Sequence, residues 1–307
     1  MQLRRFKARG YEFRVRRRER TLARASLLPA GIWLFVLFFV PLLILIAASF
    51  ATTNALGFPV YGLHISAYQE ILHSEFIPVF IRTILFALMA TVGCVVIGYP
   101  VAYAIAMFGG RYRNLLILLA ILPWFVDYLI RIYAWLEIIG PSGILGNFLH
   151  SLGLIGPKGI DLLATNYSVV GSLVYSYLPI MILAIYFTVE QLQKSLIEAA
   201  KDLYGSPART FFSVTLPNTM HGIIAGSLLV FLPCVGDFAT ASILGGPNQV
   251  MVGNLISGEV TSPGGLPAGA GLTVLLVFLL AVAILLYYVL LRRPAIRRAG
   301  SAVVIEA

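Results

Sequence analysis

Charged side chains are scarce in this sequence. Asp, Glu, Lys and Arg make up 11% of its 307 residues, whereas 59% are apolar and the mean hydropathy is +0.91. Soluble globular domains carry about 25% charged residues. The shortage therefore excludes an ordinary soluble domain and predicts an integral membrane protein.

The side chains that usually carry catalysis and metal binding are also few. Cys94 and Cys234 both fall in apolar stretches, which indicates neither a disulfide framework nor a metal cluster. The four histidines have no zinc-ligand spacing, and no phosphate-binding loop of the Gly-x-x-x-x-Gly-Lys type occurs. We therefore expect a chain without metal or cofactor that is not an enzyme. Without such a loop, the chain is not expected to hydrolyse ATP itself.

Six apolar stretches are long enough to cross a bilayer as helices, which takes about 20 residues. The first is longer than the roughly 7 to 15 apolar residues of a cleavable signal peptide, so we interpret it as a retained span. The sequence thus predicts an all-α integral membrane protein with six transmembrane helices. Their predicted bounds are 27–50, 77–107, 115–138, 167–189, 221–244 and 271–291.

Positive charge is concentrated on one side of these predicted spans. The net charge of +9 does not indicate nucleic-acid binding, because ten of the 22 Lys and Arg residues lie within the first 24 positions, beside a span. Nineteen fall in the two termini and in the 109–114 and 191–217 loops, against Lys158 alone in the three opposite loops. By the positive-inside rule, both termini are expected in the cytoplasm. This gives a basic cytoplasmic tail over 1–26, a periplasmic loop over 51–76 and a cytoplasmic tail over 292–307.

Two of the segments outside the spans allow more than one interpretation. The Arg-rich tail either binds lipid head groups or simply holds the N-terminus in the cytoplasm, and the second is the simpler hypothesis. The outward segments 139–166 and 245–270 are rich in Gly and Pro, which favour ordered turns. They form either a docking surface for a soluble protein or plain connections.

Residues 191–217 are a polar interruption with helical order of their own. Apolar residues recur at steps of three and four along it, opposite a charged face. Gly205 is expected to end this helix, and Ser206 and Pro207 to begin a second one that Leu216 and Pro217 stop. The apolar positions are Leu192, Leu196, Ala199 or Ala200, and Leu203, and the charged ones are Lys194, Glu198, Lys201 and Asp202.

Charges within the predicted spans are costly in a bilayer and therefore informative. Asp127 and Arg131 are four residues apart in the third span, which predicts a structural ion pair on one helix face, with contact to a substrate as the less favoured alternative. Glu137 follows near the outer end of that span and either faces a substrate or lies in head-group water. Trp124 and Tyr128 lie close to these acids and are either cation–π partners or part of the interfacial aromatic belt.

The fifth span combines small residues with a second acid. Gly222 and Gly226 allow close packing against another helix. Pro233 and Gly236 are expected to loosen the helix just before Asp237. An unpaired carboxylate at that depth needs a partner, which is either a passing cation or a Lys or Arg of a second subunit.

The polar interruption resembles the EAA loop of binding-protein-dependent ABC importer permeases. The resemblance rests on Glu198-Ala199-Ala200 followed, after the family's spacing, by Leu216-Pro217, although Tyr204 stands where that family has Gly. It implies a type I ABC importer permease-like fold, with a permease core over 77–291 and a coupling loop over 191–217 that docks on a cytoplasmic ATPase. The residues it assigns to coupling are Glu198, Ala199, Ala200, Asp202, Gly205, Leu216 and Pro217.

Four further runs are similar to the first permease subunit of bacterial spermidine/putrescine importers. They are Leu-Ile-Arg-Ile-Tyr at 129–133, Leu-Pro-Asn-Thr-Met at 216–220, Gly-Ile-Ile-Ala-Gly at 222–226 and Leu-Gly-Gly-Pro at 244–247. This likeness implies a multi-pass inner-membrane subunit of an ATP-driven polyamine importer, with a substrate pathway that includes Asp237, Glu137, Trp124 and Tyr128. Import of another small amino compound, such as an amino acid or opine, is the alternative, followed by a channel or secondary transporter.

The same resemblance implies a set of partners. They are a second permease subunit in a heterodimer, a cytoplasmic ATPase dimer that binds ATP and Mg²⁺, and a periplasmic or lipid-anchored substrate-binding protein. Membrane lipids surround the spans, and no nucleic acid is expected.

Overall fold

The protein is mostly helical in the computed structural model, which describes residues 29, 31–54, 56–73, 76–140, 143–153 and 162–302. Within these residues six helical segments are long and apolar enough to cross a membrane, which confirms the predicted number of spans. They are Gly31–Ser49, Phe76–Phe108, Tyr128–Phe148, Asn166–Glu190, Pro207–Val235 and Leu266–Leu285. The predicted basic tail over 1–26 and the last residues of the predicted 292–307 tail lie outside the described residues. The cytoplasmic orientation of the termini stays a prediction.

The elements follow one another as helices with one small hairpin. The hairpin pairs β1 (Thr52–Thr53) with β2 (Pro59–Val60) in antiparallel fashion. The helices are α1 (Gly31–Ser49), α2 (Ser66–His73), α3 (Phe76–Phe108), α4 (Arg113–Ile121), α5 (Tyr128–Ile139), α6 (Ile144–Ser151), α7 (Asn166–Glu190), α8 (Lys194–Tyr204), α9 (Pro207–Thr210), α10 (Leu216–Val235), α11 (Ala239–Leu244), α12 (Val252–Thr261) and α13 (Leu266–Ala302).

The core is formed by α3, α7 and α10, which pack against one another. Small residues line the contacts, so the backbones approach closely. An added Cβ at Gly222 of α10 would lie 2.8 Å from the carbonyl oxygen of Ala184 in α7, and one at Gly98 of α3 would lie 3.1 Å from Met181. The small buried residues of α3 are Ala87, Ala90, Cys94, Gly98 and Ala102.

A second, smaller unit packs beside this core. In it α5 contacts α6, α7 and α11, with Ile132, Ala239 and Leu244 buried between them. On the other side of the core, α12 packs along α13, which also contacts α2. By contrast, α1 is exposed along most of its length and is buried only near its end, at Ala48 and Ser49. Its apolar surface is that expected of a helix in contact with lipid or another subunit.

The third predicted span, 115–138, is not one continuous helix. α4 ends at Ile121, a 3₁₀ turn covers Leu122–Phe125, and α5 begins only at Tyr128. The interruption follows from Pro123, which lacks an amide hydrogen, and from Val126, whose backbone is extended (ψ 137°). The membrane-length segment here is α5 together with α6, so the predicted bounds are wrong by about half a span.

The fifth predicted span, 221–244, is also shifted. A continuous helical path runs from Pro207 to Val235, through a π-helical turn at Phe211–Thr215. The amide of Leu216 donates to the carbonyl of Phe211 in this wider turn. The expectation that Leu216 and Pro217 stop the helix is therefore wrong, because Pro217 lies in the first turn of α10, where its missing amide hydrogen is tolerated. The predicted end at 244 belongs to a separate helix, α11.

Candidate functional site

Asp237 lies in the turn between α10 and α11, and its side chain is only 6% exposed. Burying a carboxylate costs free energy unless its oxygens accept hydrogen bonds. Oδ1 accepts from the backbone amide of Thr240 at 3.0 Å, and Oδ2 accepts from the Thr240 hydroxyl at 3.1 Å. Oδ2 also accepts from the hydroxyl of Tyr128. Among the residues that the structure describes, the side chain of this acid thus accepts its hydrogen bonds from hydroxyl and amide groups.

Tyr128 brings α5 to this turn. It is the first residue of α5, directly after the break in the third span, so its side chain projects from the helix start toward α11. Its hydroxyl oxygen lies 2.7 Å from Thr240 Oγ1 as well as in contact with Asp237. The two predicted pathway residues, Tyr128 and Asp237, are therefore brought together by the structure although 109 positions separate them.

The predicted ion pair between Asp127 and Arg131 is wrong. Asp127 is the N-cap of α5, and its Oδ1 accepts from the amides of Leu129 at 2.9 Å and Ile130 at 3.4 Å. Its backbone is extended (ψ 142°), so the two charged residues do not share one continuous helix. In the part of the chain that the structure describes, the ion pair that forms joins Arg113 and Glu190 at 2.8 Å.

Arg131 is instead a buried cation on the other side of Tyr128. Its side chain is 7% exposed, and Nη1 donates to the backbone oxygen of Ser176 in α7 at 3.2 Å. Its guanidinium carbon lies 5.5 Å from the centre of the Tyr128 ring, within cation–π range. Nε is buried, and no atom of the described part of the chain accepts a hydrogen bond from it. Tyr128 therefore contacts a buried cation through its ring and a buried acid through its hydroxyl.

Two other predicted pathway residues lie apart from this cluster. Trp124 is in the 3₁₀ turn before α5 and is 48% exposed. Glu137 is exposed near the far end of α5, about 13 Å along the helix axis from Tyr128 at 1.5 Å per residue. Whether either contacts a substrate stays a prediction.

Sequence reasoning missed Thr240, Ser176 and Tyr177. Thr240 completes the hydrogen bonds of Asp237, the backbone of Ser176 accepts from Arg131, and Tyr177 lies near both charged residues. A partial signal existed, since an Asp side chain near a helix start often accepts from a backbone amide two or three residues later, which is the bond that the Thr240 amide makes. Ser176 contributes only a backbone carbonyl, which no side-chain pattern indicates.

The predicted coupling helix exists as α8. It begins at Lys194 and ends at Tyr204, and Gly205 takes the left-handed conformation (φ 65°) that glycine adopts readily at a helix end. Ile197 and Ala200 are buried, and α8 contacts α9 and the π-helical turn. Glu198, Ala199 and Asp202 are exposed, and so are Leu196 and Leu203, the latter by 77%. The helix thus presents an uncovered apolar face beside its acids.

The π-helical turn links α8 to the core. Phe211 packs edge-on against Tyr99 of α3, with ring centres 5.4 Å apart. Tyr99 in turn forms a buried hydrogen bond of 2.9 Å with Thr219 of α10. Leu216 and Pro217 lie between these contacts, so they help to position the helix that carries Asp237 at its other end. A displacement of α8 would therefore act on both α3 and α10 through these contacts.

The sequence matches known transport proteins. Residues 95–296 match the family described as binding-protein-dependent transport system inner membrane component. The chain is 37% identical to the spermidine/putrescine transport system permease protein PotB of Haemophilus influenzae, over 83% of this chain and 89% of that protein. It is 35% identical to PotB of Escherichia coli, over 83% of this chain and 93% of that protein.

Solved structures support the same fold. A bacterial ABC transporter that imports the acidic polysaccharide alginate contains a chain that superposes with a TM-score of 0.65 at 18% identity, covering 89% of this chain and 95% of that one. The methionine ABC transporter MetNI, in inward-facing conformations, gives a TM-score of 0.53 at 15% identity, covering 71% and 98%. At these identities the likeness concerns the arrangement of helices alone.

Proposed function

The chain belongs to the family of inner membrane components of binding-protein-dependent transport systems, and on that premise we propose that it is the permease subunit of an ATP-driven importer of polyamines. The observation that carries the substrate proposal is the buried Asp237 carboxylate at the break between α10 and α11. It is surrounded by hydroxyl groups, and its hydrogen bonds can be exchanged for those of an ammonium group. The spermidine/putrescine relatives support the same substrate class.

The route of a polyamine would pass this carboxylate. A flexible di- or polyammonium ion gives up hydration on entering the membrane, and a carboxylate with adjacent aromatic rings replaces part of it. Asp237 supplies the negative charge, and Tyr128 and Tyr177 supply the rings. Gly236 and Phe238 on either side of Asp237 are exposed, so the acid lies just beneath a surface that a partner permease subunit would share.

A partner would hydrolyse ATP, and its movement would be transmitted to the membrane helices through α8. The exposed face with Leu196, Ala199 and Leu203 is suited to a cleft on a cytoplasmic ATPase, and Glu198 and Asp202 lie beside it. We infer a heterodimer with a second permease subunit, an ATPase dimer in the cytoplasm, both termini on that same side, and a substrate-binding protein on the outer face. ATP-driven closure of the ATPases would move α8 and open the cavity outward, where the binding protein releases substrate.

A second candidate substrate is a small amino compound that also carries a carboxylate, such as an amino acid or an opine. The observation that favours it is Arg131, a buried cation with an unpartnered Nε about one helical turn from Tyr128. Together with Asp237 it would offer charges of both signs to a zwitterion. A channel or secondary transporter would have no need of an exposed coupling helix, and co-purification of an ATPase separates those classes from an importer.

Uptake of labelled substrate tests the substrate proposal. Cells lacking the gene, and the same cells carrying it on a plasmid, are given labelled putrescine, spermidine or an amino acid. We expect the deletion to abolish polyamine uptake alone and the plasmid to restore it. Normal polyamine uptake in the deletion strain would contradict the proposed substrate, and loss of amino-acid uptake would favour the second candidate.

A charge reversal on α8 tests the coupling proposal. Glu198→Lys should leave the protein inserted in the membrane but abolish ATP-driven uptake, because it reverses the charge of the exposed docking face. Glu70→Lys, the same reversal at an exposed position of α2, is the matched control and should transport normally. Normal uptake by a well-expressed Glu198→Lys variant would exclude α8 as the coupling element.

A further inference from the structure

Three oxygen atoms form a closed triangle at the start of α11. Tyr128 Oη contacts Asp237 Oδ2 and lies 2.7 Å from Thr240 Oγ1, and Thr240 Oγ1 lies 3.1 Å from the same Oδ2. The Tyr128 hydroxyl has two acceptors within reach but only one hydrogen to donate. The triangle therefore has two hydrogen-bonding arrangements, which differ in whether Asp237 or Thr240 accepts the hydrogen bond of Tyr128.

We propose that this triangle is a binding site for a primary ammonium group. Thr240 opens the site when its hydroxyl oxygen accepts the hydrogen bond that Tyr128 otherwise donates to Asp237. In the closed arrangement, Tyr128 and Thr240 both donate to Oδ2 of Asp237. In the open arrangement, Tyr128 donates to Thr240, and Thr240 alone donates to Oδ2. No proton is transferred, because only the O–H bond of Tyr128 turns. The inference rests on the proposed import of polyamines and assigns Tyr128 and Thr240 as specificity-determining residues.

The open arrangement matches the chemistry of a primary ammonium, which has three N–H donors. Turning the Tyr128 hydroxyl frees a lone pair on Oδ2 and leaves the Tyr128 oxygen available as a second acceptor. The backbone amide of Thr240 still holds Oδ1, so the carboxylate keeps its orientation. Phe238, next to Asp237, is 51% exposed, which places the site within one residue of the surface.

Arg131 keeps such a site from binding too tightly. The guanidinium carbon lies 5.5 Å from the centre of the Tyr128 ring, whose hydroxyl belongs to the triangle, so an arriving ammonium raises the positive charge of a buried cluster. A site along a transport path must bind its substrate well enough to accept it and weakly enough to release it. In this arrangement the Asp237 carboxylate attracts the ammonium, and the Arg131 cation, which is not paired with that carboxylate, favours release of the ammonium.

The test uses the complete importer reconstituted in proteoliposomes, with labelled putrescine and saturating binding protein. Thr240→Val keeps nearly the same shape but removes the hydroxyl, so Tyr128 has only Asp237 to donate to and the site stays closed. We expect its maximal rate to fall roughly tenfold, as for the loss of one hydrogen bond of about 1.4 kcal/mol in the transport step. Thr240→Ser restores the hydroxyl and should transport within about twofold of wild type.

A double variant separates this role from a purely structural one. If Tyr128 blocks Asp237 in Thr240→Val, then adding Tyr128→Phe removes the block, and the double variant should transport faster than Thr240→Val alone. A structural role for both residues would make the double variant slower. Tyr133→Phe, an exposed tyrosine on the same helix, is the matched control. Equal rates for Thr240→Val and Thr240→Ser, or a double variant no faster than Thr240→Val, would overturn the ammonium site.

The same experiment distinguishes failure of the site from failure of the proposed function. If the wild-type importer transports putrescine but the Thr240 variants behave alike, the polyamine function stands and the site is wrong. If the wild-type importer does not transport putrescine, the polyamine function falls and the ammonium site falls with it.

Discussion

Gly222 offers a direct test of how closely α7 and α10 pack. An alanine Cβ at this position would lie 2.8 Å from the carbonyl oxygen of Ala184 and 2.1 Å from Oγ1 of Thr188. Carbon–oxygen contacts in helix packing are normally about 3.3 to 3.6 Å. The Thr188 side chain can rotate away, but the Ala184 carbonyl belongs to the backbone of α7. Gly222→Ala must therefore push the two helices apart locally.

The cost can be isolated with a second glycine. Gly258 lies inside α12, and an added Cβ there meets nothing within 4 Å. Both substitutions gain the same helix propensity, about 0.8 to 1 kcal/mol, so the difference between them reports the crowding alone. Overpacking of a well-packed site costs about 1 to 3 kcal/mol. We expect Gly222→Ala to be less stable than Gly258→Ala by this amount.

Thermal denaturation of the purified protein in detergent measures the difference. One kcal/mol shifts the midpoint by about 2 to 4 °C in chains of 150–250 residues and by somewhat less in a longer chain. A cost of about 2 kcal/mol should therefore place the midpoint of Gly222→Ala about 2 °C or more below that of Gly258→Ala. Gly226→Ala should fall between them, because its added carbon would meet the movable Sδ of Met181 at 2.8 Å and the Cβ of Ala184 at 3.0 Å but no backbone atom closer than 3.8 Å. Equal midpoints for Gly222→Ala and Gly258→Ala would refute the close packing of α7 on α10.

Three further substitutions test individual contacts. Asp127→Ala should lower stability by about 1 kcal/mol through loss of the α5 cap. Asp127→Asn keeps a capping oxygen and should be nearly neutral in the same thermal denaturation. An equal loss of stability in both variants would mean that the negative charge of Asp127, and not its capping oxygen, stabilises α5. Tyr99→Phe should cost about 1 kcal/mol because it removes the buried bond to Thr219, and an unchanged midpoint would contradict a bond of that strength. Glu190→Gln should change stability by less than about 1 kcal/mol, since its pair with Arg113 is partly exposed; a larger loss, persisting in high salt, would contradict this estimate.

Hydropathy and cap patterns were sufficient for the features that depend on local sequence. The number of spans follows from apolar length, because any segment in the hydrocarbon must be apolar whatever it contacts. The end of α8 at Gly205 follows from the left-handed conformation that glycine adopts without strain. The exposure of Leu203 was not predicted, since an apolar stripe does not indicate whether its partner lies in the same chain.

The breaks in the helices were harder to predict because they do not change hydropathy. Residues 122–126 are as apolar as a continuous span, so only Pro123 signalled the interruption. The i, i+4 rule that paired Asp127 with Arg131 assumed an unbroken helix, and for that reason it failed here. Pro217 signalled a stop that the structure avoids with a π-helical turn. The contact of Asp237 with Tyr128 joins residues 109 positions apart, and such a contact depends on tertiary packing.

Asp237→Asn tests the central claim, that a buried carboxylate serves the passage of a cationic substrate. The substitution keeps the shape and the oxygen that accepts from the Thr240 backbone amide but removes the negative charge. The nitrogen that replaces Oδ2 donates, so the Thr240 and Tyr128 hydroxyls would have to accept from it instead of donating to it. The measurement is the initial rate of labelled putrescine uptake in cells with matched membrane levels of the two proteins. We expect uptake to fall at least about tenfold, which corresponds to roughly 1.4 kcal/mol, with undiminished ATPase co-purification. Uptake kinetics identical to those of the wild type would contradict the claim and remove Asp237 from the substrate pathway.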